Sequence, residues 1–231
     1  MWERSELKAN AKVALKANYW KAVVVGLIMS FILGGGGAAS GRAASSNSDD
    51  VSKVVSDMNE STLIALGLAI LGVVAVVMVV STLLNIFVFN ILQVGCQRFF
   101  VKCKDDNGDF GDLGFGFKNG YGRTALVMFL KGLFTSLWSL LFVIPGIIKA
   151  YEYMMIPYIL AENPDMDRKE VFALSKKMMT GNKWNAFVLD LSFIGWDIIA
   201  GCTCGIAGIF YVVPYIYLTK AELYKTLKAG V

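Results

Sequence analysis

The chain has 231 residues, 56% hydrophobic and 17% charged, with a net charge of +4, no histidine and a mean hydropathy of +0.57. Soluble domains carry nearer ~25% charged residues, and the lysines here punctuate the ends of apolar runs instead of gathering on one face, which argues against a nucleic-acid binder. The absence of histidine removes the commonest metal ligand and general base, leaving carboxylate, lysine, tyrosine and thiol for any chemistry.

In chain order, residues 1–18 space Lys8, Lys12 and Lys16 four apart beside an apolar stripe of Leu7, Ala11 and Leu15, the pattern of an interfacial helix lying on a membrane. Apolar segments follow at 20–39 and, after a linker at 40–60 rich in Ser, Asn and Asp, at 61–92. A third runs over 124–144 and breaks at Pro145-Gly146, and a fourth covers 147–161 until Asn163-Pro164 ends it. Asp167 with Glu170 reads as a capping box for a short amphipathic helix to Thr180. Two last segments, 184–201 and 205–219, are joined by a Cys-Thr-Cys-Gly turn. Cys96, Cys103, Cys202 and Cys204 read as free thiols, because the ring closed by the last two would be strained.

The expectation is an all-α polytopic membrane protein, a single membrane domain over 1–231 with about six transmembrane helices arranged as three hairpins. Eighteen of the 22 Lys and Arg residues fall on one side of this scheme and only Arg42 and Lys53 on the other, with Lys131 and Lys149 inside spans. The positive-inside rule then places both termini in the cytoplasm and the linker outside, and Trp20, Tyr121 and Trp184 suit an interfacial aromatic belt. Residues 147–161 make only ~22 Å of helix against a ~30 Å hydrocarbon core, so a re-entrant hairpin returning to its own side fits the charge count equally well. Ala38-Ala39-Ser40 leaves a cleaved signal peptide as the competing reading of the first span.

Asn18-Tyr-Trp20-Lys-Ala22 recurs as Asn182-Lys-Trp184-Asn-Ala186, with a weaker echo at Asn119-Gly-Tyr121, and Pro157-Tyr-Ile recurs as Pro214-Tyr-Ile. Three related units, each an interfacial helix followed by a hairpin, account for this; convergence at a membrane boundary is the alternative. The run from Ile144-Pro145-Gly146-Ile147-Ile148-Lys149 through Pro157-Tyr158-Ile159, Glu162-Asn163-Pro164 and Gly181-Asn-Lys-Trp184 to Ser192-Phe-Ile-Gly-Trp196 resembles the bacterial DUF975 family, as does the opening Trp2-Glu-Arg-Ser5. The likeness covers most of the chain outside 34–60. It is more loosely similar to the membrane domain attached to some glycerophosphodiester phosphodiesterases. The resemblance implies an integral protein of the bacterial cell membrane, from a family without an established activity and with no catalytic residues to carry over.

Five charged residues lie within the expected spans: Lys131, Lys149, Glu152, Asp190 and Asp197. Each would cost roughly 3 kcal/mol against lipid at a helix centre, so they are expected to face the bundle or a wet cavity. Lys149 and Asp197 fall near the outer end of their spans, Lys131 and Asp190 near the inner. Asp190 and Asp197 are seven apart, hence on one helix face. These residues form either a polar path for an ion or charged headgroup, or interhelical ion pairs that hold the fold. Pro157 and Pro214 would free the carbonyls of Tyr153 and Phe210, as in the broken helices of transporters or as ordinary kinks. The loop around Asp105, Asn107 and Asp109 lacks the glycine and glutamate of a calcium site, and no metal or cofactor motif occurs elsewhere. Two functions are expected: transport or binding of a small or amphiphilic ligand between hairpins, or a non-transporting scaffold or protective protein acting through partners. With neither histidine nor a metal cluster, the chain is not expected to be an enzyme. The bilayer is the expected partner, the oligomeric state is left open, and nucleic acid is not expected.

Overall fold

The computed structural model describes residues 2–34, 59–104, 108–203 and 205–231. The end of the first expected span, almost all of the linker 40–60, Asp105, Asn107 and Cys204 lie outside these. The described residues are helical throughout, with no strands.

Helix α1 (Arg4–Ala17) buries Leu7, Ala11, Ala14 and Leu15, a single stripe at helical spacing. That stripe packs on the C-terminal helix of the chain instead of facing lipid. At Asn18 the chain turns by 107° into α2 (Tyr19–Gly34). The bend is locked because the buried Asn18 side-chain amide donates to the Cys103 carbonyl at 2.8 Å.

Helix α3 (Glu60–Leu84) starts on an Asn59 cap and is apolar on every side. It continues through a π-helical turn at Asn85–Phe89 into α4 (Asn90–Lys102), so a single helix of 42 residues, Ser61–Lys102, replaces the span expected to end at 92. Nothing stops it there: Gln97 and Arg98 are good helix formers, and the α4 face of Ile91, Val94, Phe99 and Phe100 finds a core to enter. The π turn leaves the Phe87 carbonyl to accept from Tyr121 Oη at 3.0 Å.

After a 3₁₀ turn (Phe110–Gly114) and α5 (Phe115–Lys118), α6 (Tyr121–Leu141) begins on Gly120, whose φ of 62° and approach to the Pro164 carbonyl admit no side chain. The break after α6 falls at the extended Phe142, and α7 (Val143–Glu152) already contains Pro145 and Gly146. The expected break is therefore displaced: proline is accepted in the first helical turn, where its missing N–H leaves no bond unmade. Gly146 instead lets α7 close on α6, since a Cβ there would lie 2.6 Å from Ser139 Cα.

The expected span 147–161 is two helices. The chain turns at Tyr153 to Met155, and α8 (Ile156–Glu162) carries Pro157 at its second position. The Tyr153 carbonyl is not freed, because it accepts from the Ile156 N–H at 3.3 Å. Helix α9 (Arg168–Met179) is capped by Asp167, which accepts from Lys169 N–H. Helices α10 (Lys183–Leu191) and α11 (Ile194–Cys202) are separated by a turn at Ser192-Phe193 that no proline or glycine announces. A second π turn, Gly208–Val212, absorbs the N–H missing at Pro214, so α12 (Val213–Ala229) continues unbroken past the expected end at 219. Its far half buries Leu218, Leu223, Tyr224 and Leu227.

The fold has two zones. Helices α1, α4, α8, α9 and α12 with the base of α2 enclose one buried core, whereas α3, the outer parts of α6 and α7, and α11 expose large apolar side chains. The termini share one end: Trp2 Nε1 donates to Asn182 Oδ1 at 2.9 Å, and Lys177 Nζ to the Val231 carbonyl at 3.2 Å. Among the described residues three helices, Ser61–Lys102, Tyr121–Leu141 and Lys183–Cys202, are long and apolar enough to cross a membrane, four if the bent α1–α2 pair is counted. The two copies of the Asn-x-Trp-x-Ala motif occupy like environments, with Trp20 and Trp184 exposed at 71% and 72% and Ala22 and Ala186 buried.

Candidate functional site

On α7, Lys149 and Glu152 stand three residues apart and so share a face. Lys149 Nζ donates to Glu152 Oε1 at 2.8 Å, and Lys183 Nζ, from the first turn of α10, donates to Oε2 at 2.6 Å. Ser175 Oγ of α9 donates to the Glu152 carbonyl at 2.7 Å. Three helices thus converge on one residue, Glu152, which is only 4% exposed, and two of them reach its carboxylate. The Lys149 ammonium also lies 5.7 Å from the Trp138 ring centroid and 5.6 Å from that of Tyr153. Two ammonium groups against one carboxylate leave this cluster with a net charge of +1.

Asp190, near the far end of α10, accepts from Tyr151 Oη at 3.0 Å and pairs with Lys220 of α12 at 3.1 Å. Between the two polar clusters runs a groove of ≈ 340 Å³ lined by Ile144, Ile147, Ile148, Trp184 and Phe187, with Tyr151 and Lys183 at its edge. Sharing Ile147, Tyr151 and Phe187, it continues into a hollow of ≈ 450 Å³ that reaches Met154 and Asp190. Its walls are apolar and its charges stand at the margins, which suits a molecule with an apolar body and a charged end.

Of the five charged residues singled out in the sequence, Lys149, Glu152 and Asp190 meet around this groove. Among the described residues Lys131 enters no ion pair; its backbone carbonyl accepts from Thr135 Oγ1 at 2.8 Å. Asp197 is exposed on α11 without a polar partner. A turn at Ser192-Phe193 lies between Asp190 and Asp197, within the apolar run Lys183–Cys202. Lys149, expected near an outer face, shares its carboxylate partner with Lys183, one residue before the exposed Trp184. Lys183, Lys220, Tyr151 and Ser175 complete the clusters, and no local signal marks them, since a lysine at a helix start reads as a flanking cation. Pro145, Gly146, Pro157 and Pro214 are not among the residues lining the groove.

A third polar cluster involves none of the residues that line the groove. Asp112 accepts from Arg98 Nε at 3.0 Å and Lys102 Nζ at 2.9 Å. Burial pushes its carboxyl up, but the hydrogen bonds from Lys102 and Arg98 outweigh this and hold it below its ordinary value. Arg98 also donates to the Ala161 carbonyl at 2.5 Å and covers the Phe115 ring, tying α4 to α8. The free thiol of Cys103 is buried, which pushes it up to about 11 and leaves it inert at neutral pH. Among the described residues no three His, Cys, Asp or Glu side chains converge as a metal site.

Comparison with known families matches residues 140–230 to DUF975, described as a protein of unknown function. The match takes in α7 to α12 and with them the groove; the opening Trp2-Glu-Arg-Ser5 lies outside it. No curated protein and no solved structure matches the chain.

Proposed function

With residues 140–230 assigned to DUF975, we propose that this is an integral protein of the bacterial cell membrane, with cytoplasmic termini, that binds an anionic amphiphile in the groove between α7 and α10. The membrane part of the reading is supported by the apolar helices and by the two exposed tryptophans at repeated positions, which suit an interfacial belt. The orientation is supported by the bias of cations toward the segments around both termini.

One observation carries the ligand: a cluster of net charge +1, in which Lys149 and Lys183 share Glu152, stands at the edge of an apolar groove. An acyl chain fits the walls, and an anionic headgroup satisfies the surplus ammonium. The apolar walls of the groove favour binding from the lipid phase over transport along a polar path, and assign no chemical step to the chain.

The test is displacement of a fluorescent fatty acid by oleate from the purified protein in neutral detergent. Oleate should compete and oleylamine should not. Lys183→Met, which removes the surplus charge, and Ile148→Trp, which fills the groove, should each weaken oleate at least about tenfold. Equal affinity in both variants would overturn the reading. A scaffold without ligand is favoured by a different feature, the complete engagement of Glu152 by three helices; it requires that oleate not bind at all.

A further inference from the structure

Although Tyr121–Leu141, leading into the α6–α7 turn, and Lys183–Cys202, leading into the α11–α12 turn, are each long enough to cross a bilayer, both are tied partway along their length to helices that expose lysines. Helix α9 exposes Arg168, Lys169, Lys176 and Lys177, so it lies at the aqueous surface. Its Phe172 touches Phe134 of α6, with ring centroids 5.9 Å apart, and Tyr153 just after α7, at 5.1 Å. From Phe134 to Leu141 the helix rises only about 11 Å, and the whole of α7 spans about 15 Å, against a hydrocarbon core of about 30 Å.

The tip itself carries no polar side chain. Leu140, Leu141, Phe142, Val143 and Ile144 are consecutive and between 65% and 85% exposed. A turn that emerged into water would be polar, and an exposed apolar patch of this kind marks a surface made for another phase. Two backbone bonds cross the turn: Phe142 N–H donates to the Trp138 carbonyl and Gly146 N–H to the Phe142 carbonyl, both at 3.1 Å.

The other hairpin has the same dimensions. Lys8 Nζ of α1 donates to Ser192 Oγ at 2.7 Å and stands 4.4 Å from the Phe193 ring centroid. From that level to Cys202 the helix rises about 14 Å. At the tip, Thr203 Oγ1 accepts from the Ala207 N–H at 3.1 Å and faces the Ile199 and Ala200 carbonyls at 3.1 Å. Ile198, Ile199, Ile206 and Phe210 are exposed around it.

We infer that these two hairpins are re-entrant insertions ending near the bilayer midplane, held in the hydrocarbon of the cytoplasmic leaflet, and that only the α2–α3 pair crosses the membrane. The expected six full spans become two, with both termini still on one side. This inference rests on the membrane reading above and is independent of the ligand.

The test uses full-length chains with the four native cysteines replaced, each carrying one new cysteine: Asn59→Cys, Lys169→Cys, Leu141→Cys or Thr203→Cys. A membrane-impermeant maleimide should label Asn59→Cys in intact cells and Lys169→Cys only in inverted vesicles. The two tip variants should react at least about tenfold less from either side. Nitroxides on the tip cysteines should be relaxed more by oxygen than by a soluble nickel chelate, which identifies hydrocarbon and not protein burial. Labelling of both tips in intact cells, or greater access to nickel, overturns the inference. Release of the whole chain by alkaline carbonate would instead overturn the membrane reading.

Discussion

Replacing Glu152 by Gln keeps the shape of the side chain and removes the charge that two lysines share. Breaking a buried ion pair by neutralising one partner costs about 3–5 kcal/mol, because a desolvated charge is left uncompensated. Here the stranded groups are Lys149 and Lys183, whose side chains are 25% and 32% exposed, so both can swing toward water and recover part of that. The Ser175 bond to the Glu152 backbone survives the change. The net loss is about 2 kcal/mol, or about 4–8 °C in Tm for a chain of this size. Thermal unfolding followed by helical circular dichroism in one detergent at pH 7 measures it. Lys183→Met leaves the Glu152–Lys149 pair intact and should cost only about 1 kcal/mol. The double variant should then fall short of the sum of the two single losses, since both remove the same contact. A Glu152→Gln protein that unfolds within 1 °C of the parent would refute an ionised, doubly paired carboxylate at this site.

Asp197→Asn is the matched contrast: without a partner to lose, it should change stability by less than about 0.5 kcal/mol in the same assay. Gly95→Ala should destabilise strongly, by about 3 kcal/mol or more, because its Cβ would stand 2.1 Å from the Leu113 carbonyl oxygen and only backbone could yield. Gly67→Ala, with nothing within 4 Å on α3, should leave unfolding unchanged or raise it slightly. Asp112 gives a pH dependence of defined sign. Its folded carboxyl titrates below its ordinary 3.8, so its contribution is complete above that value and fades as the pH falls through the lower one. The Tm gap between the parent and Asp112→Asn should therefore be widest near neutrality and close in acid; a gap that widens on acidification would contradict the pairing with Arg98 and Lys102.

Much of the helical architecture is written in local pattern. The stripe of Leu7, Ala11 and Leu15, the cap at Asp167, the unbroken apolar run after Ser61 and the reversal beside Pro145-Gly146 each follow from a rise of ~1.5 Å and a turn of ~100° per residue. Composition likewise marks which segments cannot be solvated by water, and the DUF975 likeness over α7 to α12 is legible in the same residues. What those segments touch is another matter. The stripe on α1 fits lipid and protein equally, and only the presence of α12 alongside makes it core. Asp190 and Asp197 fall on one face of an ideal helix, yet only Asp190 meets an ion-pair partner, Lys220, and Lys8 bonds Ser192 at the turn between them. Lys183 joins Glu152 across 31 residues, and Lys220 joins Asp190 across the last hairpin; each reads in sequence as a flanking cation. Short-range periodicity sets the direction of a side chain about its own helix axis, whereas partners, depth in the bilayer and the walls of the groove depend on how helices distant in the chain are laid together, a choice made by the sum of their contacts.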